Sequence, residues 1–233
     1  DAGEPYADYT AFYEVWPYVK RTTFKSVDVL SKEVTSALNR KRFDVNGIPH
    51  YIEYTGSSED VVDEEWDALT RGLRFQIYSL AWLVHSSVDP DPIEAMRTWS
   101  ETKFPTLQTD PAVWTPSDEK PALYWRQGAV SGVETTNWGA WITTQLHGHV
   151  ISPDKSTRRK YVEEVTRRLA IDKVTRMADK SKMRFITVAA DDGYNPFNQG
   201  QIQLTATYGI LREKIEYPEL IRIETTLGGV NLE

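Results

Sequence analysis

Two histidines, His147 and His149, are separated by a single residue in the stretch Gln145-Leu-His-Gly-His-Val150. In a β-strand this spacing places both imidazoles on one face, an arrangement that transition-metal sites use. Asp191 and Asp192 follow a later predicted strand, and either carboxylate would supply a further ligand. The same pattern is also typical of a half-exposed strand face that a partner covers. The pair therefore leaves two alternatives open, a metal-dependent enzyme or part of an interface.

Other residues that support catalysis form no recognisable motif. His85 has serine neighbours at 86 and 87, but the chain contains no Gly-x-Ser-x-Gly segment and no glycine-rich phosphate loop. Residues 60–67 are strongly acidic but do not fit a calcium loop, so we expect a solvated loop or a first helical turn there. The chain has no cysteine, which excludes disulfides and thiolate chemistry. We therefore expect no catalytic residue, no resident metal and no cofactor.

The element that carries the two histidines is predicted to be a long strand at residues 138–150. Its even positions are mostly apolar, from Trp138 through Ile142 and Leu146 to Val150, and its odd positions are mostly polar. Successive side chains of a strand point to opposite faces. One face is therefore expected to pack on a core, while the other, with Trp141, meets solvent or a partner.

The surrounding elements are predicted from periodicity, capping residues and turn residues. Helices are expected at 26–40 with Ser26 as the N-cap, from Asp91 and Pro92 to Phe104, and at 156–170. Strands are expected at 48–54, 73–84, 121–126, 138–150, 185–190, 201–210 and 220–227, with loops at 56–60, 105–121 and 191–200 and a turn at 128–132. This mixed order predicts an α+β fold, with a largely antiparallel mixed sheet and helices packed on one face.

Aromatic residues are concentrated where a partner would cover them. The chain contains 8 Trp and 12 Tyr, more than a core alone requires, and the segment 1–24 is crowded with them. We predict an extended arm at 1–24 and a single α+β domain at 25–233. The predicted interface residues are Tyr9, Tyr13, Trp16, Trp114, Trp141, His147 and His149.

Charge and hydropathy exclude two kinds of partner. The net charge of −7 disfavours general attraction to nucleic acid, so no sequence-specific nucleic-acid binding is expected. No apolar run approaches the roughly 18 residues that span a membrane, so no membrane partner is expected.

Several segments together resemble tail-terminator and tail-completion proteins of tailed bacteriophages. These segments are Asn137-Trp-Gly-Ala-Trp-Ile142, Leu146-His-Gly-His-Val-Ile-Ser-Pro153, the charged helix that follows, and Asp192-Gly-Tyr-Asn-Pro-Phe-Asn-Gln-Gly-Gln-Ile-Gln-Leu-Thr-Ala-Thr-Tyr-Gly-Ile-Leu-Arg212. The resemblance covers about 137–212 and extends more loosely to 51–55, 89–93 and 124–126. The long aromatic N-terminal segment departs from the small versions of that family.

The resemblance implies an α+β subunit of a ring, usually a hexamer, at the head–tail junction. Its partners would be further copies of itself, the tail tube protein and the head–tail connector protein. The protein would then lie in the virion after assembly in the host cytoplasm, and the family supplies no catalytic residues. Alternatives are another tail, neck or baseplate component, a metal-dependent enzyme that uses His147 and His149, or a glycan-binding module.

Overall fold

The computed structural model describes residues 10–212, so Tyr9, the start of the predicted arm and the predicted strand at 220–227 lie outside the described residues. The α+β class is confirmed, with 24% helix and 45% strand. The elements are β1 (Thr10–Val15), β2 (Tyr18–Lys20), α1 (Phe24–Leu38), β3 (Lys41–Val45), β4 (Ile48–Asp63), β5 (Ala68–Ser79), a 3-10 turn (Ala81–Leu83), α2 (Pro92–Lys103), β6 (Ala122–Thr135), β7 (Gly139–Ile151), α3 (Lys155–Asp172), β8 (Val174–Arg176), β9 (Lys182–Ala190) and β10 (Ile202–Leu211).

Within residues 10–212 the strands divide into two antiparallel sheets of five strands each. Sheet A has the order β1-β5-β4-β3, with β2 also paired to β5, and sheet B has the order β6-β7-β10-β9-β8. The segment 10–20, assigned to the arm from sequence, therefore forms strands that pair with β5. The predicted strand at 138–150 is confirmed as β7, with β6 and β10 on its two sides.

Each sheet has a helix-covered face. Helix α1 contributes Val34 and Leu38 to a small core with Leu73 and Phe75 of β5. Helices α2 and α3 cover one face of sheet B in the largest core, where Ile142, Leu146 and Val150 of β7 point as expected. Trp138, expected on the same face, lies instead with Trp141 over Gly209 on the opposite face. The two sheets meet at a third cluster formed by Tyr51, Tyr78, Leu80, Ala122, Tyr124, Ile151 and Phe197. Sheet B therefore has helices on one face, and part of sheet A covers one end of its opposite face.

Local side-chain chemistry explains where the helices begin. The Asp91 carboxylate accepts hydrogen bonds from the Ile93 and Glu94 amides, and Pro92 occupies the first turn, as predicted for α2. Asp154 caps α3 in the same way, because its side chain accepts from the Thr157 amide. The expected cap at Ser26 is wrong: α1 begins at Phe24 after Thr23, whose side chain makes no capping hydrogen bond.

Three boundary predictions on the strands are wrong. Residues 56–63, predicted as an acidic loop or helical turn, continue β4, and residues 128–132, predicted as a turn, continue β6. The pairing register shifts within both segments, between Tyr54 and Gly56 and between Gln127 and Val130. Such bulges let a strand pass through glycine and polar residues that normally mark a turn. The strand predicted at 73–84 runs from Ala68 to Ser79, and the 3-10 turn follows it.

Two long hairpins extend away from the junction of the sheets. Strand β7 runs from Gly139 to Ile151, and Ile151 lies at the junction. The length of the strand places the end of the β6–β7 hairpin roughly 40 Å from that junction. Strand β5 runs from Ala68 to Ser79, and its length places the end of the β4–β5 hairpin roughly 35 Å from the junction. The ends of both hairpins lie far from the shared cluster, where their side chains are available to a partner.

Candidate assembly surfaces

His149, one of the predicted interface residues, is fully buried inside the chain. Its ring stacks on Trp82 of the 3-10 turn at 3.8 Å between centroids, with the planes 15° apart. The Trp82 indole also donates a hydrogen bond to the Phe197 carbonyl at 2.7 Å. The interface prediction for His149 is therefore wrong, because the loop after β9 and the turn after β5 cover this end of β7.

Hydrogen bonds determine the state of the His149 ring. Arg126 on β6 donates from Nε to His149 Nε2 at 3.1 Å, and since a guanidinium only donates, Nε2 must be the acceptor. Nδ1 therefore carries the proton and donates to the Pro196 carbonyl at 2.7 Å. Burial, with a smaller contribution from the Arg126 charge, lowers the pKa of His149 to about 3. The imidazole is neutral and has no lone pair left to bind a metal.

Both carboxylates of the predicted metal site are also engaged elsewhere, and His147 packs on the backbone of β6. His147 is half-buried over Gly128, where an added Cβ would lie 2.5 Å from its Nε2, and burial lowers the pKa of His147. Asp191 accepts from the Gly193 amide at 2.8 Å, and Asp192 pairs with Arg159 at 3.5 Å. Within residues 10–212 no three His, Asp or Glu side chains are grouped to hold a metal ion. The geometry thus does not bring His147, His149 and the two carboxylates together as a metal site.

His85 also has a partner that accounts for it. Its Nε2 lies 2.8 Å from the Asp91 carboxylate, which caps α2 at the same time. The pair connects the turn after β5 to the start of α2. A structural role is therefore sufficient for His85, and the prediction that it belongs to no triad stays a prediction.

A polar cleft of about 270 Å³ opens at the junction of the two sheets. Glu53 on β4 lies in it, and its pKa is raised because burial outweighs the opposing effects of the Arg40 and Arg158 charges. Burial also raises the pKa of Tyr51 on the adjacent wall. With two guanidiniums and one carboxylate, the cleft carries a net positive charge and forms a polar region between the two sheets.

A row of exposed aromatic side chains runs along the outer strand of sheet A. Even-numbered residues of β5 face away from α1, and Phe12 and Tyr18 are paired with two of them. Trp16 lies against Gly72 on that same face, and Tyr18 contacts Trp66 at the hairpin end, 5.7 Å between ring centroids. Phe12 is 74% and Trp66 71% exposed. We call Phe12, Trp16, Tyr18 and Trp66 the aromatic stripe.

The strand that carries the stripe is an open edge. Within the described residues β1 has a neighbour, β5, on one side only. Its single charged residue, Glu14, is paired with Arg74 at 3.1 Å across the sheet. Soluble proteins usually protect such edges with lysine, proline or bulges, because free backbone groups recruit further strands. Strand β1 itself has neither lysine nor proline, although Pro17 and Lys20 follow on the same edge. An exposed aromatic surface along such an edge is typical of a surface that a partner covers.

Sheet B has a second apolar surface on the face away from α2 and α3. The rings of Trp138 and Trp141 meet edge to face at 5.2 Å over Gly209, whose missing side chain leaves the space for them. Leu211 follows on the same face of β10 and is 76% exposed. We call Trp138, Trp141 and Leu211 the open face.

The predicted interface residues thus have different environments. Tyr9 lies outside the described residues. Tyr13 and Trp16 are exposed on and after β1, and Trp141 is half-buried on the open face. Trp114 packs mainly inside the chain, stacked on Tyr124 at 5.6 Å, where it closes the cluster between the sheets.

Five residues of these surfaces were absent from the predicted set: Phe12, Tyr18, Trp66, Trp138 and Leu211. Phe12 and Tyr18 lie in the predicted arm and Trp138 in the predicted strand at 138–150. Only strand pairing shows which residues of the arm share a face. Trp66 lies within the acidic run at 60–67, where a loop or helical turn was expected, so no sequence signal marked it.

No known family, no curated protein and no solved structure matches the chain. Among residues 10–212, none of the helices has both the length and the apolar character to cross a bilayer.

Proposed function

We propose that this chain is a structural virion protein of a tailed bacteriophage that assembles into a ring at the head–tail junction. In that position it would terminate the tail tube and join it to the connector, and a hexamer is the expected size. The proposal rests on the resemblance of the 137–212 region to tail-terminator proteins and on the two exposed apolar surfaces. Neither surface requires a catalytic residue, metal or cofactor.

The presence of two different surfaces is the observation that carries the assembly part of the proposal. The aromatic stripe lies on the edge of sheet A, and the open face lies at the far end of sheet B. A two-fold dimer uses one patch twice, whereas a ring needs two different patches, one on each side of every subunit. Aromatic residues are enriched at the centres of such interfaces because each buries a large area with few rotatable bonds.

Native mass and mixing of variants test this arrangement. The stripe variant is Phe12→Ser with Trp66→Ser, and the face variant is Trp138→Ser with Leu211→Ser. Phe12, Trp66 and Leu211 are largely exposed and Trp138 is 41% exposed, so the variants should fold. A matched control, Val88→Ser with Ile171→Ser, removes equally exposed apolar side chains elsewhere.

We expect the wild type and the control to form one closed assembly and each interface variant to be monomeric. An equimolar mixture of the two variants keeps one intact contact, so it should form dimers and nothing larger. A wild-type chain that remains monomeric at high concentration would refute self-assembly. Mixed variants that stay monomeric would instead indicate that the two surfaces do not bind each other.

The place in the virion needs a separate measurement. Quantitative mass spectrometry of purified particles of the phage that encodes the chain should find about one ring of copies per tail. Labelled antibody should bind at the junction of head and tail. Label at the baseplate would favour the alternative tail component, and a chain absent from the particles would reject the virion role.

A further inference from the structure

The end of the β4–β5 hairpin is a concentrated acidic surface. From Glu59 to Asp67 the chain has six carboxylates and no basic residue. Asp60 is paired with Arg71 at 2.6 Å and Asp67 with Arg21 at 3.6 Å, but Glu59, Glu64 and Glu65 are exposed and have no ion pair within residues 10–212. We call residues 59–67 the acidic tip.

The β8–β9 edge of sheet B has the opposite charge. Residues 173–184 contain one carboxylate, Asp179, and five exposed basic side chains: Lys173, Arg176, Lys180, Lys182 and Arg184. Within the described part of the chain, none of the five forms an ion pair. We call these five residues the basic edge.

Strand pairing makes this edge unfavourable for the chain on its own. Arg176 and Lys182 are direct cross-strand partners, so two cations occupy the position where opposite charges would stabilise the sheet. Arg184 lies on the same face two residues along β9. An external group of negative charge would remove this repulsion.

Each charged surface is continuous with one of the apolar surfaces. Trp66 of the aromatic stripe lies within the acidic tip. Arg184 of the basic edge lines the same shallow groove as Trp141 of the open face, with Thr143 and Thr207 between them. The charges therefore flank the apolar patches, as the polar rim of a protein interface flanks its centre.

We infer that the acidic tip of one copy docks on the basic edge of the next copy in the ring. The inference rests on the proposed self-assembly and specifies its orientation: the aromatic stripe meets the open face only when tip and edge also meet. Pairing of tip with tip or of edge with edge would bring like charges together, which disfavours it strongly. The charges thus make the contact between copies directional, and a directional contact favours a closed ring.

Charge reversal tests this docking in the full-length chain. The tip variant is Glu64→Lys with Glu65→Lys, and the edge variant is Lys182→Glu with Arg184→Glu. A matched control for the edge variant, Lys25→Glu with Lys32→Glu, makes the same change of charge as that variant on the exposed side of α1. Sedimentation velocity at low and high salt gives the assembled fraction of each variant.

We expect the tip and edge variants each to require at least about tenfold more protein to assemble, while the control behaves as wild type. The four substitutions combined in one chain should restore assembly. An equimolar mixture of tip and edge variants should restore it only in even-numbered, alternating assemblies. High salt should weaken the wild-type assembly, because exposed charges are screened within about a Debye length.

The outcomes separate this inference from the proposal on which it rests. If the wild type assembles and both reversals leave the assembly unchanged, the charge docking is refuted while apolar self-assembly stands. If neither the wild type nor any variant assembles, the charge docking and the proposed self-assembly are both refuted. If the edge variant assembles normally but loses affinity for a labelled DNA duplex, the basic edge serves nucleic acid and the docking is refuted.

Discussion

Replacement of His149 by Gln should remove a specific part of the acid sensitivity of this protein. The imidazole is fully buried, neutral and held between Arg126, Trp82 and the Pro196 carbonyl. Glutamine is similar in reach and can both donate and accept a hydrogen bond, but it does not titrate. The two proteins should therefore differ most in how their stability changes with pH.

The sign and size follow from the lowered pKa of His149. Its pKa is about 3 in the folded chain and 6.5 in an unfolded chain, so the unfolded state binds the extra proton between these values. The contribution of neutral His149 is complete above pH 6.5 and is lost as the pH falls toward 3. Between pH 7 and pH 5 this amounts to roughly 2 kcal/mol of unfolding free energy, from about 1.4 kcal/mol per pKa unit.

Urea unfolding followed by tryptophan fluorescence at pH 7 and pH 5 measures this difference. The wild type should lose roughly 2 kcal/mol more than His149→Gln between the two pH values, because the other titrating groups are common to both. His147→Gln is the control for the neighbouring imidazole. In the wild type, the His149 ring resonances in a proton NMR titration should not shift above pH 5. Equal acid sensitivity in the two proteins, or an NMR midpoint near 6.5, would refute the buried neutral state.

Two further predictions concern folding alone. Leu169→Ala removes a fully buried side chain of α3 and should lower the unfolding free energy by about 2–5 kcal/mol, whereas Leu211→Ala on the open face should change it by less than about 0.5 kcal/mol. Urea titration of monomeric protein checks both, and a large loss at Leu211 would place that side chain in the core. Asp91→Ala removes the cap of α2 and the partner of His85, and should cost about 1–2 kcal/mol, with a lower melting temperature by circular dichroism. A melting temperature equal to that of the wild type would contradict the capping role.

The strongest local patterns of the sequence predicted the fold class and several elements correctly. The alternation in 138–150 identified β7 and, except at Trp138, its core face, and Asp91 with Pro92 identified the start of α2. Both signals are short-range, since each depends on neighbouring residues and on the geometry of a single element. The errors at 56–63 and 128–132 occur where pairing with a partner strand extends β4 and β6 through residues that locally favour a turn.

The sequence by itself determined that the chain is an α+β protein without cysteine, with more aromatic residues than a core requires. Tertiary structure alone decided which of those residues are inside. His149 and Trp114 are enclosed because sheet A packs on one end of sheet B, while Phe12, Trp66 and Leu211 remain exposed. Burial and shared faces depend on contacts between segments distant in the chain, and neither the spacing nor the type of a residue specifies those contacts.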